Sequence, residues 1–251
     1  MEIRWALCAA AIVASTFSTS QETRQIETEI NLEFATKYVW HGITVVNDPV
    51  FQPDLSFSMS GFSIGFWGNL EFTGWNAPNY VTHPRGRLTE IDTTFEYAAT
   101  WRDLNWAIGT IDYQFPGTGY ERYREWYAGL GTDRFWGSPT FTVYTGANDQ
   151  SGTYATLTLA HSLPVNLGRA SSIDVLFELT GADKRCCRFL YGHDGAGLTD
   201  LHVSAGTEFE LGKGWTLSPS IHYSTLLQPG ILRGQPRRSA LWAACGVCLK
   251  F

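Results

Sequence analysis

Carboxylates placed at every second residue are the groups in this chain with the most chemistry to offer. Glu29, Glu33, Glu71, Glu90, Asp92, Glu96, Glu125, Asp174, Glu178 and Glu208 fall on the polar parity of alternating segments, with Glu210 beside them. The cations on that parity are fewer: Lys37, Lys250 and Arg124, whose parity the pattern leaves open. A ring of inward acids can attract cations or basic solutes, as charged rings do in pores. The same groups can also hydrate a lumen or form a salt-bridged plug. The residues allow both readings.

Other motifs carry less. GFSIG (61–65) matches the nucleophile pattern G-x-S-x-G, but that pattern needs a strand, a sharp turn and a helix. Here Phe62, Ile64 and Phe66 continue in strand phase. His161, His202 and His222 fall on lumen parities near Ser and carboxylates, which admits a barrel hydrolase, while polar lining is the plainer reading. Cys245 and Cys248 form a CxxC. In a strand, however, three residues span roughly 10 Å and point to opposite faces, too far for a disulfide. For the adjacent Cys186 and Cys187, pairing with each other, with another molecule or with nothing stays open. GHDGAGLTD (192–200) spaces two Asp with Gly but does not fit the EF-hand template. No metal, cofactor or covalent catalyst is expected.

The elements that must position these groups are strands. After residue 26 the dominant signal is period two. Twelve segments carry it: 27–40, 50–60, 62–73, 89–101, 104–115, 122–132, 139–148, 153–162, 171–181, 198–210, 215–227 and 238–251. Most exceed the strand of about 5–6 residues usual in soluble proteins and match the roughly 9–11 tilted residues that cross a bilayer. Within 62–73, Phe62, Ile64, Phe66, Leu70 and Phe72 oppose Ser63, Asn69 and Glu71. Segment 104–115 breaks phase, since Trp106 and Ile108 differ in parity from Ile111, Tyr113 and Phe115. A bulge near Gly109–Thr110 would restore it.

Connectors alternate short and long. Ser60-Gly61, Arg102-Asp103, 133–139, 163–169 and 211–214 are the short or inner set. The outer set is 41–49, 74–88, 116–122, 182–197 and 228–237, with 148–152 as a short exception. This asymmetry is that of outer-membrane barrels. Trp40, Trp101, Trp136 and Trp215 fall near strand ends, where interfacial aromatics sit. The expected fold is therefore all-β: a transmembrane antiparallel up-and-down β-barrel of about twelve strands, with lipid against its apolar face.

The composition agrees. Of 251 residues only 17% are charged and 14% are aromatic, and the net charge of −6 does not suggest nucleic acid. Residues 1–20, MEIRWALCAAAIVASTFSTS, combine Arg4, a short apolar core and small residues, as a secretory signal peptide does. Cys8 lies too early for a lipoprotein cysteine. The barrel domain is then 21–251, exported to the bacterial outer membrane.

FATKYVWHGITVV (34–46), GFSIGFWG (61–68) and IDYQFPGTGYERYREWYAGLG (111–131) together resemble the TorF family of porin-like Gram-negative outer-membrane proteins. The resemblance covers about residues 27–132 by motif and the rest by pattern. His41 stands where the family usually has Arg, and Phe115-Pro116-Gly117 keeps its turn. What the resemblance implies is location and fold rather than a substrate.

The expected function is a porin-like channel for passive passage of small polar solutes or ions, with a cation preference and a narrow lumen constricted by inward side chains such as Trp67. Its partners are outer-membrane lipid and those solutes. The alternatives are a structurally plugged barrel that binds through loops 74–88 and 182–197, and a barrel hydrolase.

Overall fold

The computed structural model describes residues 25–251 apart from 148–150, 167, 169 and 171. The expected signal peptide, 1–20, lies outside the described residues. In chain order the strands are β1 (Glu27–Ala35), β2 (Tyr38–Trp40), β3 (Ile43–Val46), β4 (Val50–Met59), β5 (Phe62–Glu71), β6 (Arg87–Trp101) and β7 (Leu104–Gln114). They continue as β8 (Tyr123–Gly131), β9 (Thr140–Gly146), β10 (Thr153–Pro164), β11 (Ser172–Ala182), β12 (Gly197–Gly206), β13 (Phe209–Gly212), β14 (Trp215–Leu226) and β15 (Ser239–Lys250). Two short helices interrupt the long loops: α1 (Lys184–Tyr191) and α2 (Pro229–Leu232).

Twelve strands form the wall. Each neighbour pairs antiparallel in the order β12-β11-β10-β9-β8-β7-β6-β5-β4-β1-β15-β14, and β12 pairs with β14 to close the ring. Closure leaves no edge, so every wall strand satisfies its backbone groups sideways. The aromatic parity faces outward: Phe62 is 65% exposed, Phe34 57% and Leu241 57%. No described helix is long and apolar enough to cross a membrane, and the exposed apolar belt is carried by strands instead.

The short turns form where the sequence places them. Ser60 and Gly61 both have positive φ, which a two-residue type I′ hairpin requires. Arg102 and the Lys213–Gly214 pair also use positive φ at short turns. Trp101, Trp136 and Trp215 are exposed at this end.

Three expectations need correction. Segment 27–40 is not one strand, because β1 ends at Ala35 and the chain turns inward at Thr36–Lys37. Residues 38–46 then form a separate hairpin, β2–β3, so Trp40 lies inside the barrel and not at the outer interface. His41 (φ 48) and Gly42 (φ 72) make its tip, again the pattern of a type I′ turn. Second, β7 has no bulge at Gly109–Thr110: its register runs unbroken against both β6 and β8. Ile111 and Tyr113 point inward instead, at 5% and 3% exposure, because the lumen is aromatic at that level. Third, segment 198–210 breaks. Its last residues form β13, which continues the pairing with β14 alone.

Candidate functional site in the barrel lumen

The hairpin β2–β3 fills the loop end of the lumen. Tyr38 is 4% exposed, with its ring 5.5 Å from Trp67. Trp40 lies 6.1 Å from Tyr113 on the opposite wall. At the tip, the His41 ring meets Tyr154 at 4.6 Å, and Tyr191 Oη donates to the His41 carbonyl at 3.0 Å. Gly42 sits where a Cβ would come within 2.6 Å of Leu226 Cδ2 and 2.9 Å of the Asp200 Cβ. Glycine is therefore required at the tip for its φ and for its lack of bulk.

Above the hairpin, α1 and α2 help cap the mouth. Asp183 caps α1 by accepting from the Cys186 backbone N–H at 2.7 Å, and Gly192 ends it in the left-handed region. Cys186, Cys187, Tyr191 and Ile231 join Tyr113, Tyr123, Tyr127, Tyr144 and Tyr154 in one buried cluster. The four described cysteines are free thiols. Cys186 and Cys187 are buried, and burial raises both thiol pKa values. Cys245 and Cys248 lie on opposite faces of β15, so the CxxC is not a pair.

The inward carboxylates are handled individually. Glu71 is fully buried beneath loop 72–86 and accepts from Tyr80 Oη at 2.9 Å and Asn76 Nδ2 at 3.3 Å. Glu96 accepts from Tyr127 Oη at 2.8 Å. Glu125 accepts from Tyr113 Oη at 3.1 Å and Tyr154 Oη at 3.0 Å, which ties β7, β8 and β10 together across the lumen. Glu90 and Asp92 face Tyr38 of the hairpin. Near the turn end, Asp174 accepts from Ser162 Oγ at 2.6 Å, and Glu29 pairs with Lys250 at 2.8 Å. Glu208 lies in the break between β12 and β13, partly exposed. Phenolic donors supply hydrogen bonds that offset the cost of burying these acids.

Only part of the predicted set reaches the open lumen. Between the hairpin and the β9–β15 side lies a cavity of about 80 Å³ into which the centre of a water molecule fits. Of the predicted lumen residues, Glu33, Lys37 and Glu178 line it. Lys37 Nζ also donates to the Leu241 carbonyl at 2.5 Å. Trp67 lines it as expected, together with Trp40, Tyr144, Tyr154 and Trp242. Asp200, Ser224 and Gln52 contribute further polar atoms that were not among the predicted lining residues. Asp200 lies in the Gly-spaced loop motif, but the motif divides: Asp194 pairs outside with Lys184 and Arg188, while Asp200 points inward.

His202 and His222 also line the cavity. His202 Nε2 and His222 Nδ1 are 3.2 Å apart. The rings are within 8° of parallel with centroids 5.4 Å apart, the spacing of two imidazoles sharing a proton edge to edge. Ser220 Oγ lies 2.8 Å from His222 Nε2, and Trp242 lies parallel to both rings within 12°. This group can relay a proton along Ser220, His222 and His202. His161 is not part of it: it shares the outward parity of Leu157 and Leu163, with its ring 5.0 Å from Trp136. Arg124 lies on the outward parity too, paired with Arg122 to Asp112 at 2.6 and 2.5 Å.

No family model and no curated protein matches this chain. Among solved structures, it is similar to the NanC porin with a TM-score of 0.51 at 11% identity, over 88% of this chain and 100% of the porin. It is also similar to an outer membrane channel from Pseudomonas putida F1, with a TM-score of 0.53 at 7% identity, over 92% of this chain and 97% of that one. At these identities the likeness is one of fold: the chain is a closed twelve-stranded antiparallel barrel of the outer-membrane porin type.

Proposed function

We propose that this protein is a porin-like channel of the bacterial outer membrane, passing small polar solutes or ions through a lumen narrowed by hairpin 38–46. The observation that carries the reading is a polar, cavity-bearing interior behind an apolar exterior. Glu33, Glu178 and Asp200 face the cavity against Lys37, and this excess of acid favours cations. The long loops then lie outside the cell and the short turns in the periplasm. Residues 1–20 act as the signal peptide, and the opening motif FATKYVWHGITVV supports a place beside the TorF porins.

Conductance of the refolded protein in a planar bilayer under a potassium chloride gradient tests this. Cation-selective openings that weaken in Glu33→Gln and Glu178→Gln support it, and anion selectivity sinks the cation preference. One observation favours a second reading. The hairpin tip spans the lumen to β12 and β14, and α1 packs on it. A silent bilayer would therefore indicate a plugged barrel whose outer loops bind partners.

A further inference from the structure

We infer that Arg122 and Arg124, held by Asp112 on the outer face of the barrel, form a binding site for the phosphate group of a membrane lipid. The inference rests on the barrel lying in a membrane, and neither on conduction nor on the lumen.

The three residues meet at the loop end of β7 and β8, where Asp112 and Arg124 are register partners. The Asp112 side chain is 7% exposed. Its Oδ1 accepts from Arg122 Nε at 2.5 Å. Its Oδ2 accepts from Arg122 Nη2 at 2.7 Å, Arg124 Nε at 3.1 Å and Arg124 Nη2 at 2.6 Å. One arginine would neutralise this acid. The second leaves a net positive charge on the outward face. A guanidinium carries five N–H donors. Each arginine spends two on Asp112, and the others have no partner among the described residues. The arginine side chains are 60% and 48% exposed, so these donors are open to a ligand. Of the acids beside them in the chain, Glu125 points into the lumen, and Glu121 forms no ion pair among the described residues.

Depth selects the ligand. Toward the loops, the outward residues of β8 run Leu130, Ala128, Trp126, Arg124, with Leu130 52% and Trp126 54% exposed. That order is aliphatic, then interfacial aromatic, then cation. On β7, Asp112 lies eight residues beyond Leu104, which pairs with Trp101 at the turn end. This is roughly 26 Å along a strand, or about 20 Å of height at a tilt of about 35–45°. The apolar band of such barrels is about 25 Å tall, and an arginine extends its head toward the polar side. The guanidinium pair therefore sits where lipid headgroups begin. Guanidinium forks match phosphate oxygens two at a time, and the acyl chains of the same lipid would lie against Trp126 and Leu130.

The test is native mass spectrometry of the refolded barrel in neutral detergent, with dioleoyl phosphatidic acid as the probe. Dioleoylglycerol, which lacks the phosphate, and oleate, which carries a carboxylate, are the controls. Saturable retention of phosphatidic acid is expected, about tenfold or more above both controls and reduced about tenfold or more when Arg122→Gln and Arg124→Gln are combined. Arg122→Lys keeps the charge but loses the fork, and should weaken retention about three- to tenfold; it serves if the double variant fails to refold. Retention equal to either control, or unchanged in the variants that refold, overturns the site. Displacement of the lipid by inorganic phosphate at equal concentration assigns the arginines to a free anion and overturns the lipid. Retention with a silent bilayer supports the site while refuting the channel. Conduction without retention refutes the site alone.

Discussion

Gly42→Ala should unseat the hairpin and open the lumen. Residue 42 has φ +72, and a Cβ there would lie 2.6 Å from Leu226 Cδ2 and 2.9 Å from Asp200 Cβ. Leu226 is fully buried and has little room to withdraw. The left-handed backbone costs a non-glycine residue roughly 1–2 kcal/mol. Overpacking a filled site adds typically about 1–3 kcal/mol. Together these oppose the seated hairpin by about 2–5 kcal/mol. At tenfold per 1.4 kcal/mol, the seated-to-unseated ratio falls about 30-fold to about 3,000-fold. The wall strands do not contain this residue, so the barrel itself should persist. The assay is single-channel recording of wild type and variant, with heat-modifiable gel migration confirming the barrel. A higher open probability or a larger conductance step is expected. An unchanged record from an intact barrel refutes the hairpin as the constriction.

Three further outcomes follow from particular contacts. Tyr127→Phe removes the hydroxyl that donates to the buried Glu96 at 2.8 Å. It should destabilise the barrel by about 1–3 kcal/mol, read as a lower denaturant midpoint; an unchanged midpoint would show that Glu96 does not depend on this donor. Cys186 and Cys187 are 1% and 0% exposed, so a maleimide should label neither in the folded protein and both after unfolding. Rapid native labelling would mean that α1 does not stay seated. Arg188 foremost, and Lys184 with it, hold the Asp194 carboxyl below the usual carboxylate range. A depressed pKa contributes fully above the ordinary Asp value of about 3.9 and is lost as pH falls through the lower folded value. An NMR titration of Asp194 should therefore show its midpoint below that ordinary value, and in Arg188→Ala the midpoint should move up.

What the sequence by itself determined was the wall. Period-two alternation records a difference between the two faces of a strand, and wherever lipid met a polar lumen that difference was written in adjacent residues. Phe62, Ile64 and Phe66 against Ser63 are enough to orient β5, and Ser60-Gly61 is enough to place its turn. Tertiary structure decided how the lumen is filled. Ile111 and Tyr113 break the alternation because they face an interior that is aromatic at that level, while Asp112 between them faces outward to Arg122 and Arg124, so the polar and apolar parities exchange along β7 without a bulge. Residues 38–46 read as the end of one stave and an outer loop, because a hairpin buried in a lumen has the same local pattern as one on a surface. The tyrosine donors of Glu96 and Glu125 stand 31 residues away for one and 12 and 29 for the other. Asp200, Ser224 and Trp67 likewise line one cavity only when the ring closes. Alternation is a local code for environment, while the lumen cavity is a coincidence of distant strands, and only closure of the barrel creates it.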